Sequence, residues 1–427
     1  MIKIRNKIFD KNKIKDLFIY GFGQAINLLS PLIVMPYLIS VCGEDGLGKI
    51  GVGFSFALIL SGIVDYGSYI KGVKEISINR NDKQFLRFKL ESIYLSKVIV
   101  LLIVLLIASA MLFLIPFFYK EKTLFFLSLM MVFGQLINPA WFFQATENFK
   151  WISAINIFSK IIYLCCIFLF INKKADYILA NFFFGLGAVI ANLVGFFYIA
   201  RKYKLSIRNL SFRPVLAIIH DEFSFTLSQF FLSIYQFFPI MIISYFAGDF
   251  MAGQYRIIDQ IIMIFKSALN IFFYFVYANI CFEINKDLNK GLAVWKLNNG
   301  LFFIMISVLV AICFINAELI FTYFKINPLQ INALSEYFRL GLVIPMLIAI
   351  SLPLRQLMFA FDRNKTYIQI TIIATIVDVL LLAYTTPKFG LTGAILSIIF
   401  IELIVIILYA LILRKFLSHP QNQINEN

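Results

Sequence analysis

The sequence predicts an all-α polytopic membrane protein of about twelve transmembrane helices. Of its 427 residues, 61% are hydrophobic and only 14% are charged, whereas soluble domains are about half apolar. The apolar segments run for about 20 residues, the length that crosses a hydrocarbon core of ~30 Å as an α-helix. Apolar–polar alternation over about ten residues, which is typical of a membrane β-barrel strand, is absent. Lipid is therefore the expected solvent for much of the surface.

The apolar runs divide the chain into two similar halves. The predicted spans of the first half are 17–41, 50–70, 92–116, 123–143, 152–171 and 177–200. Those of the second half are 222–247, 252–281, 297–317, 335–361, 366–386 and 391–413. No segment between them has the length of a soluble domain. We predict an N-terminal six-helix lobe at 1–200, a cytoplasmic basic link at 201–221 and a C-terminal six-helix lobe at 222–427.

The net charge of +15 is explained by membrane topology, because Lys and Arg accumulate in cytoplasmic loops. Placing the N-terminus in the cytoplasm gives that side most of the 38 basic residues, in the loops 71–91, 282–296 and 362–365, the link and both termini. We therefore expect cytoplasmic termini, membrane lipids as partners and no nucleic acid. The cysteines and the two histidines have no ligand-like spacing, so no metal site, cofactor or catalytic residue is predicted.

A weak internal repeat agrees with the division into halves. Shifting the sequence by about 205 residues places Gly43 over Gly248 and Gln24 over Gln229, as in transporters built from parallel repeats. Both glycines fall in a short turn between the first two spans of a half.

Polar residues inside the spans are the candidate functional residues, since a charge at the bilayer centre costs at least ~2.5–3.5 kcal/mol. In the eighth span, Arg256, Asp259, Lys266 and Asn270 share one helix face at positions i, i+3, i+10 and i+14. This stripe favours the polar wall of a cavity. The alternative is a buried Arg256–Asp259 pair that only fixes helix packing.

Other spans carry shorter polar sets. These are Gln24 and Asn27 in the first span, Asp65 in the second, Asn156 and Lys160 in the fifth, and Gln229 in the seventh. Asp378 and Glu402 are the deepest acids of the last two spans, and each either binds a coupling cation or pairs with Arg355 or Lys160. Lys97, Arg339 and Arg355 lie near predicted span ends, where we expect their side chains to extend to the interface.

The segment Pro139–Tyr163, PAWFFQATENFKWISAINIFSKIIY, resembles the join between the fourth and fifth helices of bacterial polysaccharide flippases. These are the O-antigen-type repeat-unit flippases (Wzx) of the polysaccharide-transport branch of the MOP exporter superfamily. Further similarity lies at 28–51, 64–77 and 389–402. The resemblance implies a MATE-like fold with two six-helix lobes in the inner membrane. It also implies movement of an undecaprenyl-pyrophosphate-linked oligosaccharide to the periplasmic leaflet by alternating access, beside other polysaccharide-assembly proteins.

Under that resemblance the polar residues divide by role. The expected head-group cations are Arg256, Lys266 and Lys160. The expected sugar or cavity contacts are Gln24, Asn27, Asn156, Gln229 and Asn270. The candidates for H⁺ or Na⁺ coupling are Asp65, Asp259, Asp378 and Glu402.

Three other functions compete with the flippase. An ion-coupled multidrug exporter would favour an acidic, aromatic cavity for cationic drugs, whereas these stripes are rich in cations. A membrane-embedded oligosaccharide polymerase or ligase needs a large periplasmic loop with arginines or catalytic groups. The longest predicted outer loop, 318–336, has a single Lys325 and no His. A passive scramblase or a structural protein remains the third alternative.

Overall fold

The computed structural model describes residues 11–65, 71–206 and 212–418, and in these ranges every regular element is helical. The predicted all-α fold is confirmed. Both chain ends, whose cytoplasmic placement the charge pattern predicts, lie outside the described residues, as does 207–211 of the predicted basic link. The sidedness of the termini therefore stays a prediction.

The helices are labelled in chain order. Up to residue 238 they are α1 (Lys11–Val64), α2 (Val73–Ile78), α3 (Lys83–Leu114), α4 (Pro116–Lys120), α5 (Lys122–Ile137), α6 (Ala140–Ala145), α7 (Phe149–Phe170), a 3-10 helix (Lys174–Leu179), α8 (Ala180–Tyr203) and α9 (Phe212–Phe237). After it they are α10 (Pro239–Ala247), α11 (Asp249–Lys286), α12 (Leu288–Ile315), α13 (Ala317–Tyr323), α14 (Pro328–Gly341), α15 (Val343–Ala360) and α16 (Asn364–Ser418).

Within the described ranges, nine helices are long and apolar enough to cross a membrane, or ten if the bent pair within α9 counts as one span. Two of them are too long for one crossing: a straight helix of 54 residues, the length of α1, would measure about 80 Å. The backbone of α1 breaks at Gly43, with φ 75° and ψ 174°. That of α16 breaks at Gly390, with φ 57° and ψ −138°. With the bent pair within α9 counted as one span, dividing α1 and α16 at these glycines raises the number in the described ranges from ten to the predicted twelve.

The two glycines that the weak repeat aligns adopt similar backbone conformations. Gly248, just before α11, has φ 90° and ψ 164°, close to the values of Gly43. A side chain is strongly disfavoured in this region of positive φ, so glycine is required at both turns. The structure thus supplies a conformational reason for the aligned pair.

By packing, the chain forms two units, 1–238 and 239–427. In the first, α8 packs on α5 and α7, α1 packs on α7, and α9 packs on α1 and α3. In the second, α16 packs on α10 and α15, and α11 packs on α12 and α15. The predicted lobe boundary at 222 concerns chain topology and stays a prediction, since α9 packs with the helices that precede it.

The close approach of α9 to α1 has a local cause. A Cβ atom on Gly62 would lie only 2.7 Å from the Ser233 hydroxyl, so a larger residue would hold α9 away. In the first half of α9, Asp221 and Glu222 pair with Lys71 at 3.3 Å and 3.6 Å. Gly62, which has no side chain, lets α9 approach α1 closely, and the ion pairs of Lys71 hold α9 there. Both features place α9 in the first unit.

Candidate functional site

A polar cavity of about 310 Å³ lies in the first unit, between α1, α5, α7 and α8. Its polar lining is made of amides, hydroxyls and one ammonium group, contributed by Gln24, Asn27, Ser61, Gln135, Asn138, Gln144, Asn156, Ser159, Lys160 and Asn192. Four of the residues predicted from the polar stripes, Gln24, Asn27, Asn156 and Lys160, therefore come together here.

A helix break contributes one wall of this cavity. Proline cannot donate the backbone hydrogen bond that a helix interior needs, and α5 ends at Ile137, before Pro139, while α6 begins at Ala140. The Asn138 side chain accepts a hydrogen bond from the Ala140 N–H at 3.0 Å and donates one to Gln135 Oε1 at 3.2 Å. Irregular backbone at membrane depth is tolerated where it lines a polar cavity, which is its position here.

Small residues hold the surrounding helices close together. A Cβ on Gly187 of α8 would lie 2.5 Å from the Ser159 carbonyl oxygen of α7, and one on Gly23 of α1 would lie 2.8 Å from the Ser153 Cβ of α7. Close approach of this kind is a common basis of helix packing in membranes. It fixes α1 and α8 against α7, which carries Asn156 and Lys160.

Lys160 is the only charged residue among the described residues that line the cavity. Its side chain is 5% exposed, and its ammonium group lies 3.5 Å from the centroid of the Phe184 ring. No carboxylate of the described residues pairs with it. A desolvated cation–aromatic contact supplies about 2 kcal/mol, less than the several kcal/mol that burying a cation costs. The cavity therefore favours an anionic group beside Lys160.

The amides around Lys160 fall into two classes. Asn192 is already engaged, because its side-chain N–H donates to the Gly134 carbonyl at 2.8 Å. The side chains of Gln24, Asn27 and Asn156 form no hydrogen bond with the described residues. Each amide offers two donors and an acceptor, which suits the hydroxyl groups of a sugar.

Asp65 lies outside this cavity, and its partner is Lys97, whose ammonium group donates to Asp65 Oδ1 at 2.7 Å. The Lys97 side chain is 0% exposed and lies 5.9 Å from the Trp141 ring centroid. The expectation that Lys97 extends to the interface is wrong. An acid and an aromatic ring inside the unit compensate its charge, so its side chain turns inward.

Gln229 is half-buried in α9 and is not among the cavity's lining residues. It shares the first unit with Gln24, but the structure does not bring it to Lys160.

In the second unit the predicted stripe of α11 is largely compensated. Arg256 Nη1 lies 3.7 Å from Asp259 Oδ2, and both side chains are about nine-tenths buried. Further along the same helix, the Asn270 amide donates to the Lys266 carbonyl at 2.9 Å and accepts from Arg355 Nη2 at 3.3 Å. The ion pair between Arg256 and Asp259, which their i, i+3 spacing allows, is therefore formed.

The side chain of Arg355 does not point in the direction expected from the sequence. Its guanidinium group lies 5.0 Å from the Phe273 ring centroid and 5.9 Å from that of Tyr367. The side chain packs inward against α11, so the expectation that it extends to the interface is wrong. The aromatic rings of α11 and α16 give it a stacking site that a position near a span end does not reveal.

Asp378 and Glu402 on α16 are 2% and 7% exposed. Asp378 Oδ1 is buried without a hydrogen bond from the described residues, and its charge interacts with those of Glu402 and Lys266. Two buried carboxyl groups and one ammonium group thus lie close enough for their charges to interact. In the described part of the chain no group of three or more His, Cys, Asp or Glu side chains could hold a metal ion.

Several cavity residues were missed from the sequence: Gln135, Asn138, Gln144 and Asn192. None belongs to a stripe on a single span. A usable signal was present at Pro139, because a proline inside an apolar run marks a helix break, and residues beside such breaks often line cavities.

A family model for polysaccharide biosynthesis proteins matches residues 14–277. A protein of Escherichia coli (strain K12), provisionally named an O-antigen transporter, is 23% identical over 92% of this chain and 94% of its own length. A protein of Shigella dysenteriae with the same provisional name is 20% identical over 92% and 98%.

Two solved structures share the fold at low identity. An inward-facing multidrug resistance transporter of the MATE family, in the MOP superfamily, has a TM-score of 0.72 at 14% identity, covering 95% of this chain and 99% of its own. The lipid II flippase MurJ, in an inward closed conformation, has a TM-score of 0.69 at 14% identity, covering 94% and 87%. The chain therefore has the fold of the MOP transporters.

Proposed function

The chain belongs to the polysaccharide biosynthesis protein family, and on that premise we propose that it flips a lipid-linked oligosaccharide across the inner membrane. The substrate is an undecaprenyl-pyrophosphate-linked repeat unit, moved from the cytoplasmic to the periplasmic leaflet. The family match also confirms the resemblance drawn from the sequence. The relatives from Escherichia coli and Shigella dysenteriae carry the name of transporters, which favours transport over an enzymatic reaction.

The observation that carries this proposal is the cavity around Lys160. Its single ammonium group has no carboxylate partner among the described residues, and unengaged amides surround it. A diphosphate would supply the missing anion through charge-assisted hydrogen bonds, and the adjoining sugars would bond to Gln24, Asn27 and Asn156. A volume of about 310 Å³ is at the lower end for small-ligand pockets. It suits the diphosphate and its first sugar, while the polyprenyl tail stays in lipid.

Transport requires that this cavity open in turn to the two sides of the membrane. We assign energy coupling by H⁺ or Na⁺ to Asp378 and Glu402, because both are buried and Asp378 Oδ1 accepts no hydrogen bond from the described residues. Asp65 and Asp259 are weaker candidates, since Lys97 and Arg256 neutralise them. Lys266, whose charge interacts with that of Asp378, would then respond to the bound cation. Arg256 would contribute to the head-group site only after release from Asp259.

The multidrug exporter shares the fold, so the cavity's chemistry must separate the two functions. A cationic drug requires an acid or an electron-rich site, and the described lining of the cavity has no acid. The polymerase or ligase finds no support in the names of the relatives. We therefore favour the flippase.

The test uses purified protein in vesicles that contain a fluorescently labelled undecaprenyl-diphosphate-linked oligosaccharide. A membrane-impermeant quencher added outside reports how fast labelled lipid leaves the inner leaflet. We expect movement with the intact protein and little movement with Lys160→Glu, which places a negative charge beside the diphosphate.

A zwitterionic phospholipid with the same label serves as the control and should not move. Equal movement of both lipids would indicate a scramblase and contradict the proposal. So would uptake of a cationic drug without movement of the oligosaccharide lipid.

A further inference from the structure

A second depression, of about 720 Å³, lies on the first unit where α7 begins and α8 ends. Six residues line it: Trp151, Val194, Phe197, Tyr198, Arg201 and Lys202. None of them lines the cavity around Lys160. Its chemistry therefore needs an explanation of its own.

Aromatic rings form the fixed wall of this depression. The Trp151 ring stacks on Tyr198 at 4.6 Å between centroids and on the buried Phe143 at 5.5 Å. Tryptophan and tyrosine are enriched at the level of the lipid head groups, where the ring is half in lipid and half in water. The stack fixes Trp151 within the first turn of α7, next to the predicted start of a span, where an aromatic ring of this kind is expected.

Two basic residues complete the lining of the depression. Arg201 and Lys202 occupy the last turn of α8 and are both exposed. Lys202 Nζ lies 5.6 Å from the Tyr198 ring centroid. Neither cation forms an ion pair with the described residues. Favourable contact with the helix dipole explains a basic residue here, but not its combination with an aromatic wall and a large depression.

Two further lining residues on α8 are apolar and exposed. Val194 is 49% exposed and Phe197 is 57% exposed. Val194 precedes Arg201 by two helical turns, a rise of about 10 Å. Along α8 the depression therefore passes from cations through aromatic rings to aliphatic surface, the order of a phospholipid from its phosphate through its glycerol to its acyl chains.

We propose that this depression binds an anionic glycerophospholipid, with the phosphate between Arg201 and Lys202 and an acyl chain along Val194 and Phe197. The charge pattern of the loops predicts that the start of α7 and the end of α8 face the cytoplasm, whose leaflet carries anionic lipids that attract basic segments. A phospholipid fits better than the polyprenyl diphosphate, whose head group must reach the separate cavity that holds Lys160.

Trp151 supplies a direct probe of this site, because phospholipids brominated near the top of the acyl chain quench a neighbouring indole on contact. The chain has three tryptophans. The fluorescence of Trp151 is therefore measured as the difference between the unsubstituted protein and the Trp151→Phe variant. Brominated phosphatidylglycerol is compared with brominated phosphatidylcholine in vesicles of otherwise equal composition. We expect about a 30-fold preference for phosphatidylglycerol, because each of the two basic residues near the surface contributes about 1 kcal/mol.

The double variant Arg201→Gln/Lys202→Gln should lose this preference. The matched control is Arg414→Gln/Lys415→Gln, which removes two exposed basic residues near the end of α16 and should keep it. Equal quenching by both lipids in the intact protein would overturn the proposal, as would a preference that survives in Arg201→Gln/Lys202→Gln.

Unlabelled competitors decide the source of the phosphate. Displacement of brominated phosphatidylglycerol by cardiolipin supports the assignment. Displacement by undecaprenyl diphosphate at a far lower concentration would instead make the depression a substrate site and overturn it.

Discussion

Lys160 in the first unit and Arg256 in the second are both buried cations on apolar helices, 5% and 8% exposed. Arg256 has an acid one turn away on its own helix, at 3.7 Å. Lys160 has an aromatic ring at 3.5 Å and a cavity lined by amides. The two buried cations therefore differ in role. Arg256 is neutralised by Asp259 within the protein and stabilises packing, whereas Lys160 lies beside a cavity and favours an anionic ligand.

The largest expected effect is the loss of stability when Arg256, the paired cation, is replaced. Arg256→Met leaves Asp259 buried without its partner, and we expect a loss of about 3–5 kcal/mol in the free energy of unfolding. Denaturant unfolding in detergent, followed by fluorescence, measures it. Arg256→Met/Asp259→Asn removes both charges and should recover most of the loss. A double variant as unstable as the single one would show that the ion pair does not account for Arg256.

Replacing Lys160, which has no carboxylate partner among the described residues, should impair transport and leave stability intact. Lys160→Met removes a buried charge without stranding a carboxylate, so the free energy of unfolding should stay the same or rise. Movement of the lipid-linked oligosaccharide in vesicles should fall about 10- to 100-fold, the effect of losing a hydrogen bond to a charged group.

Lys97→Met is the matched variant for Lys160→Met, since it removes a lysine from the same unit but breaks an ion pair, the one with Asp65. It should lower the unfolding free energy. If Lys160→Met were the more destabilising of the two, the distinction between paired and unpaired cations would be lost.

The smallest expected effects are those of replacing single amide side chains in the cavity, and they differ between Asn156 and Asn192. Asn156→Ala should reduce transport about three- to tenfold with unchanged stability, because its amide bonds to no described residue and is available to a sugar. Asn192→Ala should lower the unfolding free energy by about 1 kcal/mol, because it leaves the Gly134 carbonyl without its donor. Transport rates and unfolding curves of both variants would show whether this division holds.

The membrane fold could be predicted because hydrophobic length and loop charge are local properties of the chain. Lys160 and Asn156 were found by the same reasoning, since their spacing places them on one face of a single helix. Asn138 and Asn192 could not be found this way. They reach the cavity through a break at Pro139 and through packing of α8 on α5, which depend on contacts between helices.

Lys97 and Arg355 illustrate a second limit. Position along a span predicts the depth of a residue in the membrane but not the direction of its side chain. Lys97 turns inward to Asp65, and Arg355 turns inward to Phe273 and Asn270. Both partners lie far away in sequence, so neither contact leaves a periodic signal.

The break at Gly43 has a consequence for how the protein enters the membrane. The helices on its two sides follow each other without a loop, so they would have to leave the insertion machinery together, as a hairpin. The charged residues near the bend, Glu44, Asp45 and Lys49, would need to be carried to the far side, a modest cost against two apolar spans. A residue at 43 that favours continuous helix would oppose this reversal. The sidedness of the following loops thus depends partly on the backbone of one glycine.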